Sequence, residues 1–484
     1  MEKIVERLKK ETNNLSDIIY RIKYINDQKI YIIYNEPLVS SDKISDFIIR
    51  SLDHIDEKYK KKIDLYSVIK NDINNFKVTD VKNYKDIVFY LHNGFTIILF
   101  ENATALAFET KRNLSRSIAS PTTETTLRGP NDAFVEDIQT NTGLIKRRIK
   151  TNDLWIENLQ IGRNSNTRVS IFYMNNITDK KLVNEVKKQL EKIDIDNIID
   201  SGTIKNLIEK ENKNAFPTIA TSERPDRACN AILEGKVVIV VDTSPFVLIL
   251  PNFLNDIFKS TEDKYGKAIN VSFTRIIRFF AFFITLLTPG VYIAITTYNQ
   301  EMLPTELLIS FASQRSLVPF PAFFEALLMI LSFEILRESD LRIPNFSSSA
   351  LSIVGALILG EAAVNAGIVS PIMIIVISVT AISALIFSEP EVIYAIRIYR
   401  ILFMLGAAFM GLIGVIFIFI FFILKLSSLN SFGKPYLMPY APTYISGLKN
   451  SFIRLSTNKQ TNRLPYLSKN KTKYRSDTKW KKYF

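Results

Sequence analysis

Two groups of residues in this 484-residue chain have the types and spacing that catalysis or ion handling would need. The first is the mixed-charge stretch at 116–151, RSIASPTTETTLRGPNDAFVEDIQTNTGLIKRRIKT, which carries Glu124, Arg128, Glu136, Asp137, Arg147 and Arg148. Carboxylates beside guanidiniums could serve acid–base catalysis, but that chemistry needs a group titrating near the working pH or an activated nucleophile. The chain has two histidines, His54 and His92, and one cysteine, Cys229, none of them in the stretch. Interlocking salt bridges that order an interdomain or intersubunit loop are therefore the favoured reading. The Arg-Gly-Pro turn at 128–130 resembles a phosphate loop only faintly and receives no ligand. The second group is Glu361 with Asn365, four residues apart and so on one helix face.

The same counts exclude much else. One cysteine and two histidines build neither a Cys/His metal site nor an intrachain disulfide. No Gly-rich cradle and no nucleophile–base pair is present, so no catalytic, cofactor-binding or metal-ligating residue is assigned, and the chain reads as non-enzymatic.

A role for Glu361 depends on where it sits, and the apolar pattern places it in a membrane. Residues 279–300 (22), 362–388 (27) and 401–424 (24) carry no charge, and each reaches the ~20 residues that a bilayer core demands. Residues 343–360 are also uncharged, so 343–388 is a 46-residue stretch with Glu361 as its lone acid. That is too long for one crossing at ~1.5 Å per residue, and the breakers Gly367 and Ser370-Pro371 divide it. The predicted spans are about 279–300, 346–366, 369–388 and 401–424 within a membrane domain of 276–425. An intramembrane carboxylate is costly enough to mark a functional site. Repeated around a symmetric ring, Glu361 and Asn365 would give a polar, acidic lining suited to cations, and Val364 and Ile368 on the same stripe could close the pore by dewetting. A turn near Gly367 could instead lift Glu361 to the far interface, with Val364 and Ile368 against lipid.

The neighbouring segments set the topology. Residues 319–336 are apolar but contain Glu325 and Glu334 and open with Pro319 and Pro321. They read as a re-entrant or interfacial helix, whose acids face neighbouring helices or a partner subunit, or pair with Arg337 or Arg342. Gly355, Ala356 and Gly360 form a small-residue face that permits close helix approach. From Lys425 onward the chain carries 13 Lys and Arg against one acid, Asp477. Residues 426–484 thus read as a basic cytoplasmic tail drawn to anionic lipid, and nucleic acid is not a predicted partner. With Arg275 and Arg278 before the first span, this predicts an even number of crossings, four or alternatively six.

Residues 1–275 read as a cytoplasmic α/β region of two subdomains split near 110–165. Strands are expected at 29–38, 167–173, 236–241 and 246–250, a hairpin at 95–109 turning at Glu101-Asn102, and helices at 42–52 and 179–193. The fold class is therefore an α/β N-terminal region, an all-α multi-pass membrane bundle and a basic C-terminal tail.

Five motifs in fixed order now carry a family resemblance: 116–151, ERPDRACNAILEGKVVIVVDTSPFVLILP at 223–251, VPFPAFFEALLMILSFEILRE at 318–338, ALSIVGALILGEAAVNAGIVSP at 350–371 and SFGKPYLMPYAP at 431–442. The chain resembles the GerA family, the A subunits of bacterial spore germinant receptors, from about residue 30 to 445. The resemblance implies a multi-pass subunit in the spore inner membrane that works with a transporter-like, nutrient-sensing B subunit and a lipoprotein C subunit. It further implies a homo-oligomer, a pentamer being one form, that releases monovalent cations. A non-conducting scaffold or regulator docking a separate transporter, including a sporulation paralogue, is the alternative.

Overall fold

The computed structural model describes residues 1–13, 15–58, 64–73, 78–112, 120–209, 215–340, 360–455, 462–468 and 473. The chain divides into two compact units. One is Met1–Lys210, Ile219–Asn252 and Thr457–Phe484; the other is Glu211–Thr218 and Phe253–Ser456.

The first unit holds two five-stranded antiparallel sheets. Strands β1 (Ile18–Ile25), β2 (Gln28–Asn35), β3 (Val78–Val81), β4 (Phe95–Leu99) and β5 (Ala105–Glu109) are ordered β1-β2-β4-β5-β3. The β1–β2 connection is the two-residue Asn26-Asp27, both at positive φ (47° and 62°), the geometry that matches the strand twist in a tight hairpin. Side chains alternate across β2. Ile30, Ile32 and Tyr34 join a core with Ile44, Ile48, Leu52 and Ile55 of the helical segment 41–58, while Tyr31 and Ile33 join Val5 and Leu8 of helix Glu2–Glu11 and Ile87 and Leu91 of helix Tyr84–His92. Helices thus cover both faces.

The second sheet, β6 (Leu154–Ile161), β7 (Thr167–Met174), β8 (Ala220–Ser222), β9 (Val237–Val241) and β10 (Val247–Leu250), is ordered β6-β7-β9-β10-β8. Its core packs Phe172, Val238, Val240 and Ile249 against Leu144 and Ile145 of helix Ile138–Arg148 and Cys229 and Ile232 of helix Pro225–Glu234. Gly235, at φ +100°, ends that helix and turns the chain into β9. The strands and helices expected from the sequence are present, the strand at 29–38 ending at Asn35; β1, β3, β6, β8 and helices Glu2–Glu11, Leu65–Asp72, Tyr84–His92, Ile138–Arg148, Ser201–Ile208 and Pro225–Glu234 are additional.

The second unit is helical. Ala268–Thr297 (30 residues) is followed by Thr305–Arg315, Ala322–Asp340 (19), a helical turn ending at 365, Pro371–Ala384 (14) and Pro390–Ser428 (39). The last of these is not one straight helix. Gly411 sits at φ 60°, ψ −140°, and the rings of Tyr399 and Phe422 lie 4.8 Å apart and those of Phe403 and Phe419 6.5 Å apart. Residues 23 apart in a straight helix would be separated by about 35 Å. The run 401–424, expected as one crossing, therefore folds back on itself as a helical hairpin. A Cβ on Gly414 would stand 1.9 Å from the Gly406 carbonyl oxygen, so glycine is obligatory where the two arms meet. Phe216, Phe282, Phe403 and Phe422 fill the core.

The stretch expected to begin the basic tail is in part folded. Tyr436 and Leu429 are joined by a backbone hydrogen bond, Tyr440 donates to Asn255 and Arg454 donates to the carbonyls of Lys264 and Gly266. Most of 456–484 lies outside the described residues.

Candidate functional site

In the first unit the charged motif builds a clamp. The Glu223 carboxylate accepts from the backbone N–H groups of Thr123 (2.6 Å) and Glu124 (2.8 Å) and from the Thr123 hydroxyl (2.8 Å). Burial pushes this carboxyl up, but those donors more than offset it and hold it below the usual carboxylate range. Arg224, fully buried, donates to the carbonyls of Glu124 (3.1 Å) and Pro130 (2.8 Å), to the Thr126 hydroxyl (2.8 Å) and twice to Asp226. All five guanidinium N–H groups are used. Glu124 accepts from Ser222 (2.7 Å) and Arg227.

Of the other sequence-predicted members, Arg148 forms a forked pair with Asp132 (2.5 and 2.6 Å). Asp137 caps helix Ile138–Arg148 by accepting from Gln139 and Thr140. Arg128, Glu136 and Arg147 are exposed. The motif is thus a structural lock, centred on Glu223 and Arg224. Both stand in the quoted ERPDR segment, but their partners lie about 100 residues away and no spacing rule connects them. Burial pushes the Cys229 thiol up to about 12, which leaves it protonated and inert.

In the second unit a cavity of about 900 Å³ is walled by helices Ala322–Asp340 and Pro371–Ala384, the first arm of the hairpin and residues 360–365. It brings together Glu334, Gly360, Glu361, Val364 and Asn365; Ile368 is outside its lining. Glu361, Asn365 and Ile368 are exposed and Val364 is half-buried. Glu334 is shared by three arginines: Arg337 at 2.8 Å, Arg397 at 2.9 Å and Arg400 at 3.2 Å. Arg337 is one of the two partners the sequence offered; Arg342 lies outside the described residues. Arg397 and Arg400, which sequence reasoning missed, stand at i, i+3 just before an uncharged run, where they read as flanking charges.

Glu325 is buried and accepts from the Ser370 N–H (3.0 Å) and hydroxyl (2.9 Å), with Arg315 at 3.5 Å. Ser370 in turn caps helix Pro371–Ala384. Gly355 lies outside the described residues. Among the described residues an added Cβ at Gly360 would meet just the Ile374 side chain, at 3.9 Å, so their packing does not demand glycine there. Close approaches are made instead at Gly290, Gly406 and Gly414.

Sequence comparison adds the lineage. The profile of the Bacillus/Clostridium GerA spore germination protein family matches residues 6–466. The chain belongs to the GerA family. Among its relatives, spore germination protein KA of Bacillus subtilis (strain 168) is 40% identical over 461 residues, covering 94% of this chain and 84% of that protein. Spore germination protein B1 of the same organism is 34% identical over 459 residues, covering 94% of each. The crystal structure of the N-terminal domain of the A subunit of the Bacillus megaterium spore germinant receptor GerK3 has 32% identity and a TM-score of 0.41, covering 51% of this chain and 92% of that one. Both named relatives carry spore germination, not a reaction, in their names. Among the described residues of this GerA-family chain, two helices, Ala268–Thr297 and Pro390–Ser428, are long and apolar enough to cross a membrane, although the second turns at Gly411.

Proposed function

We infer that this chain is the A subunit of a nutrient germinant receptor, a multi-pass protein of the spore inner membrane. It triggers germination as an oligomeric cation channel, gated by a nutrient-sensing B subunit and accompanied by a lipoprotein C subunit. The observation that carries this reading is the family match along residues 6–466, joined to relatives named for spore germination.

Glu361, Val364, Asn365 and Ile368 line the cation path in this reading. It is supported by the exposure of the polar pair on the 360–365 turn, which leaves both side chains available to a central conduit in a ring of copies. Counting the two hairpin arms as separate crossings turns the expected four spans into five. An even number, favoured by Arg275, Arg278 and the basic C-terminal residues, then follows if Ala322–Asp340 also crosses, giving six. The C-terminal Lys and Arg residues not engaged within the fold attract anionic lipid.

One observation favours the second reading, a non-conducting scaffold. Glu361, Val364 and Asn365 share their cavity with Arg337, Arg397 and Arg400, whose charge opposes a cation. The mass of the detergent-solubilised protein separates the two, because a ring is required for a pore and a monomer ends the channel reading. Spores lacking the chain should lose their response to at least one nutrient. An unchanged response to every nutrient would contradict a receptor role.

A further inference from the structure

The cavity of the helical unit is built asymmetrically, and its charge does not close. Among the described residues its charged wall holds Arg337, Arg397 and Arg400 against Glu334, with Glu361 also in the lining, so these five groups sum to one positive charge. Arg400 is only 6% exposed, and the Nε–H groups of both Arg397 and Arg400 are buried without a hydrogen-bond partner. A guanidinium stripped of water and given less than a full set of acceptors is unfavourable unless something else supplies them. The Arg397 guanidinium also lies 4.9 Å from the Tyr394 ring centroid, which orients it without neutralising it. The opposite walls are apolar: Met329, Ile330 and Ile374 line the interior, while Ile375, Ile382 and Leu385 are 62%, 65% and 73% exposed.

We propose that this cavity is a lipid site: an acyl chain lies along the isoleucine wall and a singly charged anionic phosphodiester head binds Arg397 and Arg400. Charge complementarity selects the head, because one phosphodiester neutralises the surplus and its oxygens accept from the two unpartnered Nε–H groups. The exposed isoleucines and Leu385 select the tail, since they offer an apolar surface where lipid chains would lie. Long arginine side chains reach from a helix face toward a headgroup while their stems stay against apolar surface. The inference rests on the membrane-spanning reading above and makes Glu334 the residue that holds the arginine set in place. The bound head would also offset the arginine charge that opposes a cation beside Glu361, Val364 and Asn365 in the same cavity.

The test uses the full-length protein in vesicles of phosphatidylcholine with and without phosphatidylglycerol, labelled with photoreactive acyl analogues of each lipid and of oleate. The phosphatidylglycerol analogue should crosslink to peptides within 371–400, and labelling should fall about ten-fold or more in the Arg397→Gln/Arg400→Gln double variant. Labelling by the phosphatidylcholine analogue should stay unchanged in that variant, and Arg397→Lys/Arg400→Lys should recover much of the anionic signal. Ser378→Trp, which fills the cavity without altering its charge, should lower labelling as well. Equal labelling of parent protein by the neutral and anionic phospholipids would overturn the site while leaving the membrane reading intact. Labelling by oleate alone would overturn the phospholipid assignment. No labelling of the helical unit by any analogue would sink the membrane reading itself.

Discussion

Two charged networks, one in each unit of this protein, treat their arginines in opposite ways. In the α/β unit, Arg224 places all five N–H groups on Glu124, Thr126, Pro130 and Asp226, and its neighbour Glu223 accepts from two backbone N–H groups and the Thr123 hydroxyl. In the helical unit, Arg397 and Arg400 share the single carboxylate of Glu334 with Arg337 and keep unpartnered Nε–H groups beside an open volume. A satisfied network fixes a fold, because every lost bond leaves a buried group exposed to its full desolvation penalty. An under-satisfied one leaves room for another molecule or another state. The α/β unit is accordingly the place to look for rigidity, and the helical unit the place to look for function.

That contrast can be broken most forcefully at Arg224. Arg224→Ala removes the guanidinium from which Asp226, the Thr126 hydroxyl and two carbonyls accept, and should cost about 3–5 kcal/mol. The loss is readable as a lowered denaturation midpoint of the solubilised full chain and as new proteolysis within 120–130. A change within about 0.5 kcal/mol would mean the clamp is ornamental. In the helical unit, Gly414→Ala sets a Cβ against the Gly406 carbonyl and should cost about 1–3 kcal/mol or more by overpacking. A bifunctional thiol crosslinker of about 10 Å reach, applied to Tyr399→Cys/Phe422→Cys in a Cys229→Ser background, reports the hairpin; it should bridge the two readily in the parent fold and poorly with Gly414→Ala, whereas a straight helix would hold them about 35 Å apart.

Acid gives a graded version of the same comparison. The Glu223 carboxyl lies below its ordinary value of 4.5 in the folded chain, so the unfolded chain binds the extra proton and stability rises with pH across that window. The contribution is complete above about 4.5 and fades as the pH falls through the folded value. Glu223→Gln should therefore be destabilised relative to the parent at neutral pH, with the gap narrowing below about pH 4.5. A gap that stays constant on acidification would assign the effect to packing alone. The smallest effect belongs to Arg400→Met in detergent, about 1 kcal/mol or less, because Glu334 keeps Arg337 and Arg397 and an incompletely paired charge is exchanged for an apolar chain. A loss as large as that at Arg224 would erase the distinction between the units.

Much of the α/β unit was legible because alternation and amphipathic spacing are local: β2, β7, β9 and the hairpin of β4 and β5 announce themselves in runs of Ile and Val. Strand β8 is three residues long and β6 interleaves Glu157, Asn158 and Gln160 with its apolar residues, so neither carries a clear period. The clamp was half-visible, since its charges were singled out but their partners across about 100 residues were not. The hairpin at Gly411 was hidden for a plainer reason. An uncharged run of 24 residues satisfies the length rule for a span, and the turn at Gly411, the ring contacts of Tyr399 with Phe422 and the close approach of Gly406 and Gly414 are what set two arms face to face. At Glu361 the sequence supplied the residue and the structure supplied its arginine-rich neighbourhood.

The central claim, that Glu361 and its stripe line a cation path, is tested most directly by measuring cation release from spores that carry the assembled receptor. Glu361→Gln removes one negative charge per subunit at nearly constant volume, so nutrient-triggered release should fall about ten-fold while the complex still assembles. Val364→Ala shortens the apolar side chain at the constriction and should give release without nutrient. Opposite signs from two neighbouring positions are the predicted result. If both variants assembled and released cations as the parent does, the path would lie elsewhere and the scaffold reading would take its place.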